Sequence, residues 1–233
     1  MQYTLDQSDT VVTPNGARLY RIRYADGTCG GYLQSTANLD PESDARVTGN
    51  ARVTGNAQVT GNAQVTGNAQ VYGNAQVYGN ARVTGNAQVS GDAWVSGNAQ
   101  VYGNARVTGN ARVTGNAQVY GNAQVTGNAQ VTGNAQVYGN AQVYGNARVT
   151  GNAQVSAPEH CLTIGPLGSR NATLTVCRDS KLGISYNTGC FFGSRDAFIA
   201  AVEATHSNTP YGNAYAAAIM LADHVVPAFK SGD

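Results

Sequence analysis

Charge is scarce in this chain: Asp, Glu, Lys and Arg make up 12% of 233 residues, and the formal net charge is +1. Nothing global therefore points to direct nucleic-acid binding or to an anionic membrane surface. Cysteine is equally sparse. Cys29, Cys161, Cys177 and Cys190 stand far apart with no Cys-x-x-Cys, so neither a disulfide framework nor a zinc clip is expected. His160 and Cys161 with Cys177 and Cys190 give the right number of ligands for zinc, but only one close pair, and no metal is expected. Long apolar runs are missing, and "MQYTLDQSDTVV" lacks the basic start and apolar core of a secretion signal. Together these absences point to a soluble protein of a reducing cytoplasm.

What the chain has instead is a sentence of six letters. Val recurs at every sixth position from Val47 to Val155, always with Ala two places before it and Gly-Asn between one strand and the next, apart from the single variant Gly91-Asp92. On an α-helix, residues six apart lie about 240° apart, so the valines would visit every face, and each Gly would cost about 1 kcal/mol. A meander of four-residue strands with Gly-Asn turns fails on parity. Thr54 would pair with Ala57 and Val53 with Gln58, so Val would change faces at each strand and no dry face would form. If the chain instead bends the same way at each Gly-Asn, every Val and Ala points inward while Gln or Arg before Val, and Thr or Tyr after it, point outward. Three short strands make a triangular coil of eighteen residues, and parallel stacking at about 4.8 Å per coil predicts roughly six coils in a prism about 30 Å long. In this reading Val fills the interior, Ala fits where walls converge, Gly accepts the corner dihedrals, and Asn tolerates left-handed backbone while its amide ladders between coils.

The pattern "GNARVTGNAQVYGNA" resembles the left-handed parallel β-helix of hexapeptide-repeat proteins, most closely the Asn-Ala-rich members of bacteriophages and prophages. The left hand is implied by that resemblance. The entry "LYRIRYADGTCGGYLQSTANLDPESDARV" is similar to the head of the same phage proteins through Arg21, Ile22, Gly30, Gly31, Tyr32, Asn38 and Leu39. The residues themselves predict two strands around the turn "DGT", a β-hairpin cap over the first coil. The expected organisation is a cap over residues 1–44, a repeat over 45–156 and a C-terminal α+β unit over 157–233.

Stacking residues eighteen apart sorts the outward letters into columns. One column reads Thr48, Thr66, Thr84, Tyr102, Tyr120, Tyr138, Ser156, placing three Tyr in consecutive coils. On another wall Trp94 should sit one coil from Arg112, within cation–π reach. Tyr102, Tyr120, Tyr138, Trp94 and Arg112 are thus candidate binding residues, and the plainer alternative is that these columns only brace the rod. Hexapeptide β-helices include many acyl-coenzyme A transferases, yet no His lies in this repeat and no loop interrupts it; only His160 is near. Rows of ice-ordering Thr are a third possibility, disfavoured by the Tyr in each column.

At Ala157-Pro158-Glu159 the period stops. "HCLTIGPL", "ATLTVCRD" and "KLGISYN" predict three strands, Ser194 predicts the cap of a helix running to about His206, and "GNAYAAAIMLADHVV" predicts a second helix ended by Pro227. This tail resembles a C-terminal domain that recurs behind different repeat arrays in phage proteins. The likeness rests on "IGPLGSR", on "GCFFG", and on Phe198, Val202, His206, Tyr211 and Tyr215. Arg170, His206 and Tyr211 are candidate binding residues, Arg170 for a phosphate or carboxylate. Cys190 with His206 is the nearest thing to a nucleophile and base, but a small free thiol and a helix-end His account for both without catalysis.

The expected function is that of a non-enzymatic phage or prophage binding protein, without catalytic residues, metal or cofactor. Its expected partner is a bacterial host defence protein complex or a nucleotide-like small molecule. Alternatives are an acyl-coenzyme A-dependent transferase and a structural rod of a virion. Flat walls with few charges predict a homo-oligomer, dimer or trimer.

Overall fold

In a computed structural model, residues 2–228 are described. Nineteen two-residue strands, β4 (Arg46–Val47) through β22 (Gln154–Val155), occur one per hexad and pair in parallel with the strand eighteen residues away. They form three walls. The first wall is a seven-stranded sheet from β4 to β22, and the third has six strands. The second wall adds six repeat strands to the N-terminal ones in a nine-stranded sheet. The solenoid thus has six complete coils and the first side of a seventh, as the count of hexads requires.

Every repeat Val and its companion Ala is buried, with at most 2% exposure. Burying one Val stabilises by about 1.5–3 kcal/mol, and each coil contributes three, but only when another coil covers it. The N–H before Val donates to the Ala carbonyl of the next coil and the N–H after Val to the Val carbonyl, as in Gln88 to Ala105 and Ser90 to Val107, both at 2.9 Å. At the corners the labour is divided differently from expectation. The repeat Gly residues alone adopt φ of 61–72°, while the Asn beside them stay out of the left-handed region. Their amides form three ladders, for example Asn98 Nδ2 to Asn116 Oδ1 at 3.0 Å. Asp92 accepts from Asn74 at 2.8 Å; a carboxylate has no N–H to pass on to Asn110.

The entry is larger than a hairpin. β1 (Tyr3–Val12), β2 (Arg18–Tyr24) and β3 (Cys29–Leu33) form an antiparallel meander that continues into the second wall when β3 pairs in parallel with the strand at Arg52–Val53. β1 escapes sequence reading because "DQSDT" is polar and breaks the alternation that Tyr3 and Leu5 begin. Leu33 pairs with Val53 and Leu39 bridges to Val59, so two leucines six apart imitate the repeat and close the first coil. Gly30 and Gly31 permit that approach, since a Cβ on Gly31 would stand 2.5 Å from the Ala51 carbonyl oxygen. The Tyr24 hydroxyl accepts from the Val47 N–H at 2.8 Å, and Asn38 donates to the Gly55 and Ala57 carbonyls at 2.9 Å.

The tail has four strands, not three: β23 (Cys161–Leu167), β24 (Ala172–Asp179), β25 (Gly183–Thr188) and β26 (Phe191–Ser194), an antiparallel sheet in chain order. β26 is too short and Gly-bearing to read from sequence. Helices α1 (Arg195–His206) and α2 (Pro210–Val225) pack on one face, and the Ser194 side chain accepts from the Ala197 N–H as a helix cap. Cys161 and Cys177 correct the expectation of unpaired cysteines. They are direct cross-strand partners with Cα atoms 4.2 Å apart, joined as a disulfide, while Cys29 and Cys190 are free and exposed. Their sixteen-residue separation hid the pair because it arises only from the register of the β23–β24 hairpin.

The tail also closes two walls of the last coil. Thr175 Oγ1 accepts from the Arg148 N–H at 3.0 Å, Asn187 donates to Thr150 at 3.0 Å, and Asp179 accepts from the Asn152 N–H at 3.3 Å. On the second wall no strand among the described residues pairs beyond Gln142–Val143, and Tyr144 beside it is 64% exposed.

Candidate functional site

Three groups of side chains stand out, each positioned by repeat or tail geometry. On the first wall, Tyr102, Tyr120 and Tyr138 stack with centroids 4.8 and 5.0 Å apart and interplanar angles of 2° and 6°. The coil spacing sets this distance. Tyr102 and Tyr120 hydroxyls reach Gln118 and Gln136 at 3.4 Å, and burial, followed by the neighbouring Tyr102 and Tyr138, raises the Tyr120 hydroxyl pKa. The column runs on to Ser156, whose Oγ lies 3.0 Å from His160 Nδ1, while His160 Nε2 lies 3.5 Å from Arg178.

On the third wall the Arg112 guanidinium lies 4.7 Å from the Trp94 ring centroid, and Tyr78 meets the other side of Trp94 edge-on at 6.4 Å. The outward column Trp94, Arg112, Gln130, Arg148 then descends to the tail, where Arg148 donates to the Gly189 carbonyl at 2.8 Å.

Gly189 lines the third feature, a cleft of about 320 Å³ between the sheet and α1 of the tail. Here Arg170, Cys190 and His206 are brought together although they are far apart in sequence. An aromatic run forms one side. Phe191 to Phe198 is 5.2 Å, Phe198 to Tyr215 5.6 Å in a T, Tyr215 to His206 5.6 Å, and His206 to Tyr211 6.0 Å. Tyr211 stands behind His206, outside the wall of the cleft. Arg195 and Asp223 pin α1 to α2 with a forked ion pair at 2.7 and 2.5 Å; that hydrogen bond lowers the Asp223 pKa and raises that of Arg195. Burial, then Asp223, pushes the neighbouring Tyr186 hydroxyl up to about 12.

Sequence reading missed Phe191 and Phe198 as walls and Thr188 as a polar lining residue. Thr188 is 8% exposed, and its hydroxyl is buried without a hydrogen-bond partner among the described residues. The available signal was alternation: Tyr186 and Thr188 lie two apart on the helix-facing side of β25. The structure does not bring the tail candidates to the tyrosine ladder, nor the ladder to the Trp94–Arg112 pair, which belongs to another wall. Among the described residues, no cluster of three or more His, Cys, Asp or Glu is arranged to hold a metal, and no helix is long and apolar enough to span a membrane.

These walls define the class of the protein: a parallel β-solenoid with capped ends. Within that class, residues 45–61, 75–91, 99–115, 117–133 and 141–157 are similar to the YdcK beta solenoid repeat. The starts of the matched segments are separated by multiples of six, only one of them eighteen, which follows when three walls carry nearly the same hexad. A comparison with curated proteins finds no match to the chain.

Proposed function

We propose that this chain is a non-enzymatic binding protein of a phage or prophage that acts against a bacterial host defence complex. The first wall of the rod presents the tyrosine ladder to a host protein. The observation that carries this reading is the stack of Tyr102, Tyr120 and Tyr138 on a wall without interrupting loops. Three aligned rings form a rigid strip that loses little side-chain entropy on docking, the property that makes Tyr effective at interfaces. Phage origin rests on the resemblance of the head, the repeats and the tail. The alternative of an acyl transferase is disfavoured because His160, the histidine nearest the coils, is held between Ser156 and Arg178. The left hand of the solenoid and assembly as a dimer or trimer belong to the same reading.

The test is phage plating on defence-carrying bacterial strains that express either the wild type or the triple Y102A/Y120A/Y138A variant. The proposal expects restored plating in at least one strain with the wild type and its loss with the variant. Equal plating with both proteins overturns the role of the ladder, and no restoration in any strain overturns the defence reading.

A further inference from the structure

We infer that the cleft of the C-terminal unit binds a small anion that bears an aromatic ring, with its ring against Phe191 and Phe198 and its charged oxygens at Arg170. The inference is independent of the host-defence reading, because the cleft lies in the tail and not on the tyrosine wall.

Size comes first. At about 320 Å³ the cleft is at the small end of ligand sites, suited to one or two rings and not to a peptide or a folded partner. Charge comes next. Arg170 is exposed at the rim and makes no ion pair or hydrogen bond among the described residues, and no Asp or Glu lines the cleft. A guanidinium without a carboxylate in a partly apolar recess favours an anion, and its planar fork matches a carboxylate or a phosphate with two parallel hydrogen bonds. The aromatic run supplies the opposite requirement, an apolar surface for a ring.

The second, independent observation is Thr188. A buried hydroxyl without a partner destabilises the fold, and this one belongs to a residue of the same lining as Arg170. The hydroxyl is closed off from the cleft as it stands, and rotation of the Thr188 side chain toward a polar edge of the ligand ring would satisfy it. Arg170 and Thr188 thus set two polar anchors around one aromatic patch, the arrangement of a specific small-molecule site rather than of a greasy crevice.

The shared chemistry, an oxyanion and an aromatic ring system in one small molecule, has two sources, nucleoside monophosphates and aromatic carboxylates. Isothermal titration of the full chain with adenosine 5′-monophosphate and separately with 4-hydroxybenzoate tells them apart. The inference expects saturable binding of one of the two. It expects roughly 10- to 100-fold weakening in Arg170→Gln, in line with the loss of a charge-assisted hydrogen bond, and a smaller loss in the isosteric Thr188→Val. A site-specific readout is the free thiol of Cys190 at the rim: in a Cys29→Ser background, the bound ligand should slow its alkylation. Failure of both probes to saturate by the millimolar range overturns the inference. So does binding by Arg170→Gln at wild-type affinity, or, where adenosine 5′-monophosphate is the probe that saturates, adenosine or inorganic phosphate alone matching it.

Discussion

Substituting Ala for glycine at three corners separates two costs that the repeat imposes together. At Gly91 φ is +70°, and a Cβ would lie 2.9 Å from both N and O of Gly109 in the next coil. At Gly145 φ is +66°, yet nothing stands within 4 Å because no coil follows. Both substitutions incur the left-handed penalty of about 1–2 kcal/mol. Only Gly91→Ala adds overpacking against backbone, which cannot rotate away, at about 1–3 kcal/mol. Gly91→Ala should therefore destabilise by about 2–5 kcal/mol in total and Gly145→Ala by about 1–2. Gly151→Ala should fall between them, because its Cβ would meet the Phe192 ring, a side chain that can move. Gly145 and Gly151 share the last coil, so the comparison also controls for position along the rod. Urea unfolding followed by circular dichroism, with amide exchange to locate the loosened coils, reads these differences. If Gly91→Ala is no more damaging than Gly145→Ala, the close backbone stacking at the corners is wrong.

Asp92→Asn should complete the interrupted amide ladder by supplying a donor toward Asn110, raising stability by about 0.5–1.5 kcal/mol; an unchanged or lower thermal midpoint would contradict this. A double-mutant cycle of Trp94→Ala and Arg112→Ala should give a coupling of about 0.5–2 kcal/mol in unfolding experiments, and zero coupling would remove the cation–π contact. Acid should weaken the entry and the tail. Asp26 is lowered to about 2, chiefly by hydrogen bonds from Thr28 and then by Arg46, and Asp223 is lowered by Arg195. A depressed carboxylate contributes stability above its unfolded pKa of about 3.9 and loses it as pH falls toward the folded value. The thermal midpoint should thus drop between about pH 5 and pH 2, and a carboxyl NMR titration placing Asp26 at an ordinary value would contradict the assignment.

The repeat was legible because one physical demand recurs nineteen times. Val, Ala and Gly each answer a steric need of a triangular coil, and the period of eighteen places Tyr102 over Tyr120 and Trp94 over Arg112 without further information. The ends were less legible, because their contacts depend on registers that no period announces. β1 joins through a bulged pairing between Asp6 and Thr10, and the Cys161–Cys177 bridge follows from the alignment of a hairpin that itself carries an irregularity at Ile164–Leu167. The cleft is harder still. Arg170, Thr188 and His206 meet only after four strands and a helix are in place, and the spacing of such residues along the chain carries no trace of that meeting. The left-handed role expected of the corner Asn failed for a local reason: its Gly neighbour takes that conformation at lower cost and leaves the Asn free to ladder.

Residue-resolved amide hydrogen exchange tests the stacked solenoid most directly. Thr108, Thr126 and Tyr144 follow Val at equivalent places on the second wall, but only the first two donate to a following coil, to Val125 and Val143 at 2.9 Å, while Tyr144 has no such acceptor among the described residues. Slow exchange at Thr108 and Thr126 with fast exchange at Tyr144 is the predicted result. Exchange at Thr108 and Thr126 as fast as at Tyr144 would mean that the coils do not lie upon one another and that the columns drawn on their walls do not exist.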